Sequence, residues 1–405
     1  MRFPIIITFM TLVILTSGCQ KFPPKDGVQT ETYPTGELHH EVSFHNGRQH
    51  GAAKEYYKSG QLKEEVPYQE GLREGSWKAY FPSGVLQSEA EFKNDQLEGL
   101  AKNYFESGAV KSEIHYEHGR AQGDDTEYYE SGATKSSVKF CDDKRCEKLT
   151  EYYPSGEIQA VEDYVNGKRQ GARREYFQTG QLKREENFQN GRLEGVSKEY
   201  DEEGHLMTVE GFKSGRRDGS RRTYAATGKL LGLWNYKNDK LDGVSREYYP
   251  QGAWKLVCDY LDGKLHGECK EYFENGKLQK ESKYIHGQRF GLTKTYYDIG
   301  KLKAIGTYAN NQLNGLTEVY TPEGKLAMEV YFKDDRLDGA STEYYPEGGI
   351  KKTTSYKEDK NDGLSREYYP DGTLKNEGAY KDGRLLSQKN YDKNGKLVVR
   401  RNSSQ

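Results

Sequence analysis

Apolar and polar positions alternate along this chain in short runs that stop at a glycine and then begin again. Past Gly60, the apolar side chains Leu62, Val66 and Tyr68 stand two, six and eight residues on. Period-two spacing of this kind predicts a strand with one semi-buried face. The run closes on Gln69-Glu70-Gly71, and a second run leads from Gly75 to Tyr80-Phe81. The arrangement then repeats. Its glycine recurs every 24 residues from Gly36 through Gly372, with a last copy one residue early at Gly395. A tyrosine stands four residues before Gly60 and every later copy, and a Leu, Val, Ile, Thr or Trp follows each glycine by two. A fixed period over hundreds of residues sets the architecture. It predicts an all-β chain, an elongated single-layer antiparallel meander of about fifteen 24-residue β-hairpin repeats.

The turns are legible residue by residue, counting offsets from the repeat glycine. Offset eleven is occupied only by Gly, Asp or Asn, as in Gly71, Asp95, Asp143 and Asn311. These residues tolerate a left-handed backbone, so the position predicts a turn with positive φ. Offset fifteen is glycine in thirteen of fifteen copies, with Glu147 and Ser387 the exceptions. At the other end of the unit, proline stands two before the repeat glycine at Pro34, Pro82, Pro154, Pro250, Pro322, Pro346 and Pro370. Proline presets the first corner of a type I turn and glycine supplies the left-handed residue after it, which predicts a hairpin turn with a bulge.

Four cysteines test the pairing. Cys141 and Cys146 stand at offsets nine and fourteen of one unit, Cys258 and Cys269 at six and seventeen of another. Both pairs of offsets sum to 23, and opposed residues of an antiparallel hairpin have a constant sum. One register therefore predicts two cross-strand disulfides, with buried free thiols as the alternative. The same register puts offsets two, four, six and eight with fifteen, seventeen, nineteen and twenty-one on an apolar face, including Leu62, Val66, Tyr68, Trp77 and Phe81. On the other face Glu41, Glu65, Glu89, Glu185 and Glu281 oppose Lys54, Lys78, Lys102, Lys198 and Lys294. The tyrosine at offset twenty shares that charged face, where its ring covers lysine and arginine stems.

Composition agrees with an array rather than packed globules. Only 33% of the 405 residues are hydrophobic and 31% are charged, yet there are 33 Tyr and 45 Gly, which is not a disordered composition. In a repeat array each unit packs only on its neighbours. The net charge of −2, with both signs mixed, gives no case for nucleic acid. The first residues differ. Arg2 precedes an apolar run, Phe3 to Leu15, and then Thr16-Ser17-Gly18-Cys19. The run is too short to span a membrane and fits a secretory signal peptide. Gly18-Cys19 resembles a bacterial lipobox, which implies lipidation of Cys19. Residues 1–18 are thus read as signal peptide, 19–31 as a lipid-anchored tether, 32–398 as the array and 399–405 as a polar tail. The expected address is the bacterial outer membrane or cell surface, with a periplasmic or secreted protein as the alternative.

The recurring Tyr-Tyr-x-x-Gly-x-Leu, followed by an aromatic and Asn/Asp-Gly-x-x-x-Gly, resembles the MORN-repeat variant (membrane occupation and recognition nexus). Bacterial proteins built of it are commonly labelled YwqK-type antitoxins. The resemblance covers residues 32 to 398. It implies a β-hairpin array used for binding or scaffolding, and it carries no catalytic residues to transfer.

Candidate chemistry is sparse. His39, His40, His45 and His50 cluster in the first unit, and His45 and His50 occupy the offsets that Cys141 and Cys146 occupy later. Without further ligands they read as solvated loop histidines, and no metal set is assigned. The turn Lys333-Asp334-Asp335-Arg336 lacks calcium-loop spacing. No nucleophile motif or phosphate-cradling loop occurs, so neither an enzyme nor a cofactor is expected. The aromatic ladder reads first as packing between repeats and second as a contact surface. The sequence therefore points to a non-enzymatic envelope lipoprotein that binds a protein partner, in the antitoxin or immunity sense. The alternative is a structural or adhesive protein that binds glycan or peptidoglycan through its aromatic ladder.

Overall fold

A computed structural model describes residues 25–402. The signal peptide and the lipidation candidate Cys19 lie outside the described residues. Among those described, every regular element is a strand, and every strand pairing is antiparallel. The chain divides into two units, Met1–Gly204 and His205–Gln405. Within each, consecutive strands pair in a meander.

The hairpin unit is set by two turns of different type. After Leu62–Gln69 the chain reverses through Glu70 and Gly71, with φ of 51° and 85°. Two consecutive left-handed residues make a type I′ turn, whose twist matches the strands it joins. Offset ten is thus as constrained as offset eleven. It takes Asn46, Asn94, Asp142 or His286 at positive φ, a requirement the sequence reading missed. The second reversal runs through Tyr57 to Gln61. The Gly60 N–H donates to Tyr57 O, and the Tyr57 N–H to Gln61 O, each at 2.8 Å. That is the expected type I turn with a glycine bulge.

The register is not uniform along a hairpin. Glu65 faces Lys78 and Cys258 faces Cys269, as the constant sum requires. Nearer the type I′ turn, however, Tyr68 faces Arg73 and Cys141 faces Lys144. Two extra residues of the second strand bulge out between these registers, around the offset-fifteen glycine, whose φ is 104° at Gly75. Such a bulge re-aims side chains and breaks the ladder locally. Cys146 therefore does not oppose Cys141, and offset thirteen takes the place opposite the offset-eight aromatic that was assigned to offset fifteen. The final hairpin has lost its glycine and one residue of this bulge together, so Ala379 faces Ser387 directly.

The array also begins earlier and ends later than the sequence reading placed it. Gly27–Thr32, read as tether, pairs with Leu38–His45, and Leu397–Asn402 runs into the stretch read as a tail. Gly27 stands 24 residues before Gly51 and shares its positive φ, the signal that could have found this strand.

The core of the first unit is one file of side chains across the sheet. Trp77, Ala90, Phe92, Leu97, Ala101, Ile114, Tyr116, Ala121, Val138, Phe140, Leu149 and Tyr164 form a continuous buried cluster. Asp125 interrupts it, standing opposite Ile114 on one side and Val138 on the other. Further along, Glu162 and Arg173 face each other in the same file, 3.4 Å apart, and Arg173 also reaches Glu186 at 3.2 Å. In the second unit several of the corresponding positions are small and polar. Ser245, Ser282, Thr293, Ser341 and Thr354 are buried there, together with the Cys258–Cys269 pair.

Three side-chain devices recur between neighbouring repeats. Tyrosine at offset twenty-one donates its hydroxyl to the backbone carbonyl 23 residues on: Tyr57 to Tyr80, Tyr153 to Tyr176, and in the second unit Tyr297 to Tyr320. An Asp or Asn at offset eleven accepts the N–H of the previous repeat's offset thirteen, as Asp95 does from Arg73 and Asp359 from Leu337. Arginine at offset thirteen stacks on the next repeat's aromatic, Arg73 over Phe92 at 4.3 Å and Arg289 over Tyr308 at 4.5 Å. Where offset eleven is Asp or Asn, the residue thus supplies a capping acceptor as well as the left-handed φ.

Candidate functional site

The first unit carries a groove of about 520 Å³ between the turns that hold Phe81 and Phe105. Both are phenylalanines at the offset where Tyr57 and Tyr129 spend a hydroxyl on the next repeat. Without that hydroxyl the two rings serve as walls. The floor is a polar chain. The Ser88 hydroxyl donates to Asn103 Oδ1 at 2.7 Å, and Asn103 Nδ2 donates to Ser112 Oγ at 3.0 Å. Lys111 lies over the Phe105 ring at 5.7 Å, and Lys135 pairs with Glu127 at 3.5 Å along the rim.

The tyrosines beside the groove are anchored from the charged face. Tyr104 donates its hydroxyl to Glu89 and Tyr128 to Glu113 at 3.0 Å. The ring cover expected of this tyrosine is therefore joined by a hydrogen bond to the offset-five glutamate. Burial, and then the Glu89 carboxylate, push the Tyr104 hydroxyl up to about 12. In the apolar file, burial between Ile114 and Val138 pushes the Asp125 carboxyl up to about 6. The expected Glu–Lys ladder exists as register, with all five predicted pairs opposed. Its ion pairs also run to the next hairpin, as in Lys102–Glu113 at 2.8 Å and Arg174–Glu185 at 3.1 Å.

The second unit has a related groove of about 400 Å³, lined by Trp234, Tyr248, Tyr249 and Pro250. In the preceding repeat Ala225 replaces the aromatic ring that most repeats carry at that offset. The Trp234 ring folds over Gly232 so closely that a Cβ there would lie 1.9 Å from it. The glycine is what lets the indole lie flat on the strand.

The structure brings each predicted cysteine pair together. Cys258 and Cys269 are opposed, with Cα atoms 4.0 Å apart and sulfurs at 1.89 Å. Cys141 reaches Cys146 diagonally across the bulge, with Cα atoms 5.7 Å apart and sulfurs at 2.01 Å. This is the repeat in which Glu147 replaces the bulge glycine, and Glu147 pairs instead with Lys139 at 2.9 Å.

His45 and His50 occupy the same diagonal, rings edge to face at 5.7 Å. Each leans on a carboxylate, His45 on Asp26 and His50 on Glu70, both at 3.7 Å. His39 and His40 lie elsewhere, side by side next to Glu55. Burial pushes the His40 imidazole below its ordinary value.

The repeat itself agrees with what comparison with known proteins finds. The sequence profile of the MORN repeat variant matches residues 49–70, 73–94, 97–118, 169–190, 217–238, 265–286, 291–310, 313–334, 337–358 and 361–382. No curated protein matches the chain. Among solved structures, the chain is similar to the TcdB2-TccC3-Cdc42 crystal structure at 12% identity and a TM-score of 0.15, over 94% of this chain and 25% of that one. It is similar to TcdB2-TccC3 at 12% identity and a TM-score of 0.16, over 92% and 28%. The Photorhabdus luminescens Tc holotoxin pore matches at 12% and 0.15, over 88% and 24%. The chain spans about a quarter of the length of these proteins, and scores this low assign neither fold nor partner. The matched segments make up more than half of the sequence and follow its 24-residue period, so the chain belongs to the MORN repeat variant family.

Proposed function

We infer that this chain, as a member of the MORN repeat variant family, is a repeat-based binding or scaffold module. We propose that it is a non-enzymatic, exported binding protein, lipid-anchored through Cys19 at the outer membrane or cell surface. In this reading the groove of the first unit engages a segment of a protein partner. The observation that carries it is the pair of phenylalanine walls, Phe81 and Phe105, either side of a floor of hydroxyl and amide groups. Flat apolar walls bury side chains or backbone faces, while the floor supplies donors and acceptors for a peptide. Of the groove's charged side chains, Lys135 pairs with Glu127 at the rim and Lys111 lies over the Phe105 ring.

The finer reading is an immunity protein that captures a toxin at the envelope, on the resemblance to YwqK-type antitoxins. Capture from envelope extracts tests it. The expected result is one protein recovered in stoichiometric amount, lost with F81A/F105A, and encoded beside this gene as a toxin. Recovery of no stoichiometric protein would overturn the reading.

The same floor of hydroxyls and amides between aromatic walls favours a second reading, an envelope protein that binds glycan or peptidoglycan. Oligosaccharide or cell-wall binding lost with F105A would support it. Absence of binding to any glycan would dismiss it.

A further inference from the structure

We propose that His39, His40 and Glu55 together bind a divalent transition-metal ion of the zinc class. The argument begins with the backbone. Where Gly27–Thr32 pairs with Leu38–His45, Thr32 faces Leu38 and Glu31 faces His40, so His39 is the extra residue of a bulge. A bulge turns two consecutive side chains toward the same side, which an unbroken strand never does. The His39 and His40 rings accordingly lie side by side, with centroids 3.6 Å apart. On the following strand His40 faces Glu55, a carboxylate only 6% exposed.

Donor atoms of the three residues lie within 4.8 Å of one another, and His39 Nε2 is 3.6 Å from Glu55 Oε1. Ligands around a tetrahedral zinc ion stand roughly 3.3 Å apart, so small side-chain rotations close the set. His40 Nδ1 is buried without a hydrogen-bond partner. A metal bond would satisfy one ring nitrogen of a residue the protein otherwise leaves under-used. Tyr33 holds the neighbouring ring in place. It stacks on His39 at 4.0 Å while its own hydroxyl is tied to Tyr56 O. Glu31 is paired with His40 on the other side.

The site departs from the repeat in a way that makes chemical sense. At His39's offset most repeats carry lysine or glutamine, and such lysines pair with a glutamate one hairpin back: Lys63 with Glu55, Lys135 with Glu127, Lys375 with Glu367. In the first repeat that cation is replaced by imidazole, a donor. Two imidazoles and a carboxylate suit zinc and its neighbours, whereas magnesium prefers oxygen ligands. Lys63, 2.6 Å from Glu55, is the competitor the ion must displace.

Titration of Zn2+ into the purified full chain against a chromophoric chelator tests this. One ion per chain is expected, with affinity reduced at least tenfold by H39Q or H40Q. K63Q is expected to raise affinity several-fold, and H45Q/H50Q to leave it unchanged. Far-UV circular dichroism checks that each variant is folded, and should H40Q unfold, the K63Q arm decides. The proposal is overturned by the absence of a stoichiometric ion, by K63Q or folded H40Q binding as the parent does, by loss on H45Q/H50Q, or by equal affinity for Mg2+.

Discussion

The Tyr57 hydroxyl donates to the backbone carbonyl of Tyr80, 2.8 Å away and one repeat further along. The same bond recurs wherever tyrosine occupies that offset, from Tyr33 to Tyr369. It makes a single hydroxyl one of the fasteners between neighbouring hairpins. Removing it by Tyr57→Phe is expected to cost about 1 kcal/mol. The reciprocal change, Phe81→Tyr, is expected to add a bond to Tyr104 O and raise stability by a comparable amount. Chemical denaturation of the two variants checks both signs.

Asp95 combines a left-handed φ of 64° with a side chain that accepts the Arg73 N–H at 2.9 Å. The two roles separate by substitution. Asp95→Gly keeps the backbone and loses the acceptor, at about 1 kcal/mol. Asp95→Ala loses the acceptor and strains the turn, at about 2 kcal/mol. Equal losses for the two would contradict the assignment of both roles to this residue.

Asp125 sits in the apolar file with its carboxyl raised to about 6 by burial. A carboxyl whose folded value exceeds its unfolded one binds its proton more tightly in the folded state. The stability it contributes is therefore complete below about pH 4 and lost as pH rises through about 6. Asp125→Asn is expected to stabilise the protein at neutral pH by on the order of 2 kcal/mol and to flatten the pH dependence in that window. Thermal melts from pH 4 to 7 on both proteins measure it.

Both cysteine pairs lie within bridging distance, so the oxidised chain is expected to gain two hydrogens per bridge on reduction. The Cys258–Cys269 bridge joins neighbouring strands across a separation of 11 residues, and its loss in C258S/C269S is expected to cost about 2–3 kcal/mol. Labelling of these thiols before any reductant is added would contradict the pairing.

Much of this architecture was legible because the repeat fixes which residues oppose which. The Glu65–Lys78 and Cys258–Cys269 pairings, the type I turn at Gly60 and the left-handed Asp95 follow from spacing and backbone chemistry alone. What the sequence hid was the bulge. Two residues looped out around Gly75 move Tyr68 opposite Arg73, and the same step leaves Cys141 facing Lys144. Alternation counts positions and cannot see a residue that leaves the ladder. The grooves, and the meeting of His39 and His40 with Glu55, were hidden for a related reason. They depend on departures from the repeat, a missing hydroxyl at Phe81 or a histidine in a bulge, whose consequences appear only when neighbouring repeats are laid side by side.

The central claim is that each 24-residue hairpin is a self-contained step whose contacts reach only its neighbours. Excision of residues 277–300 removes one whole step of the second unit, and excision of 277–288 removes a single strand and reverses the direction of those that follow. Circular dichroism with denaturant unfolding of the two deletions is the direct measurement. The account expects the 24-residue deletion to keep a cooperative β fold and the shorter one to lose it. Collapse of both to the same extent would contradict it.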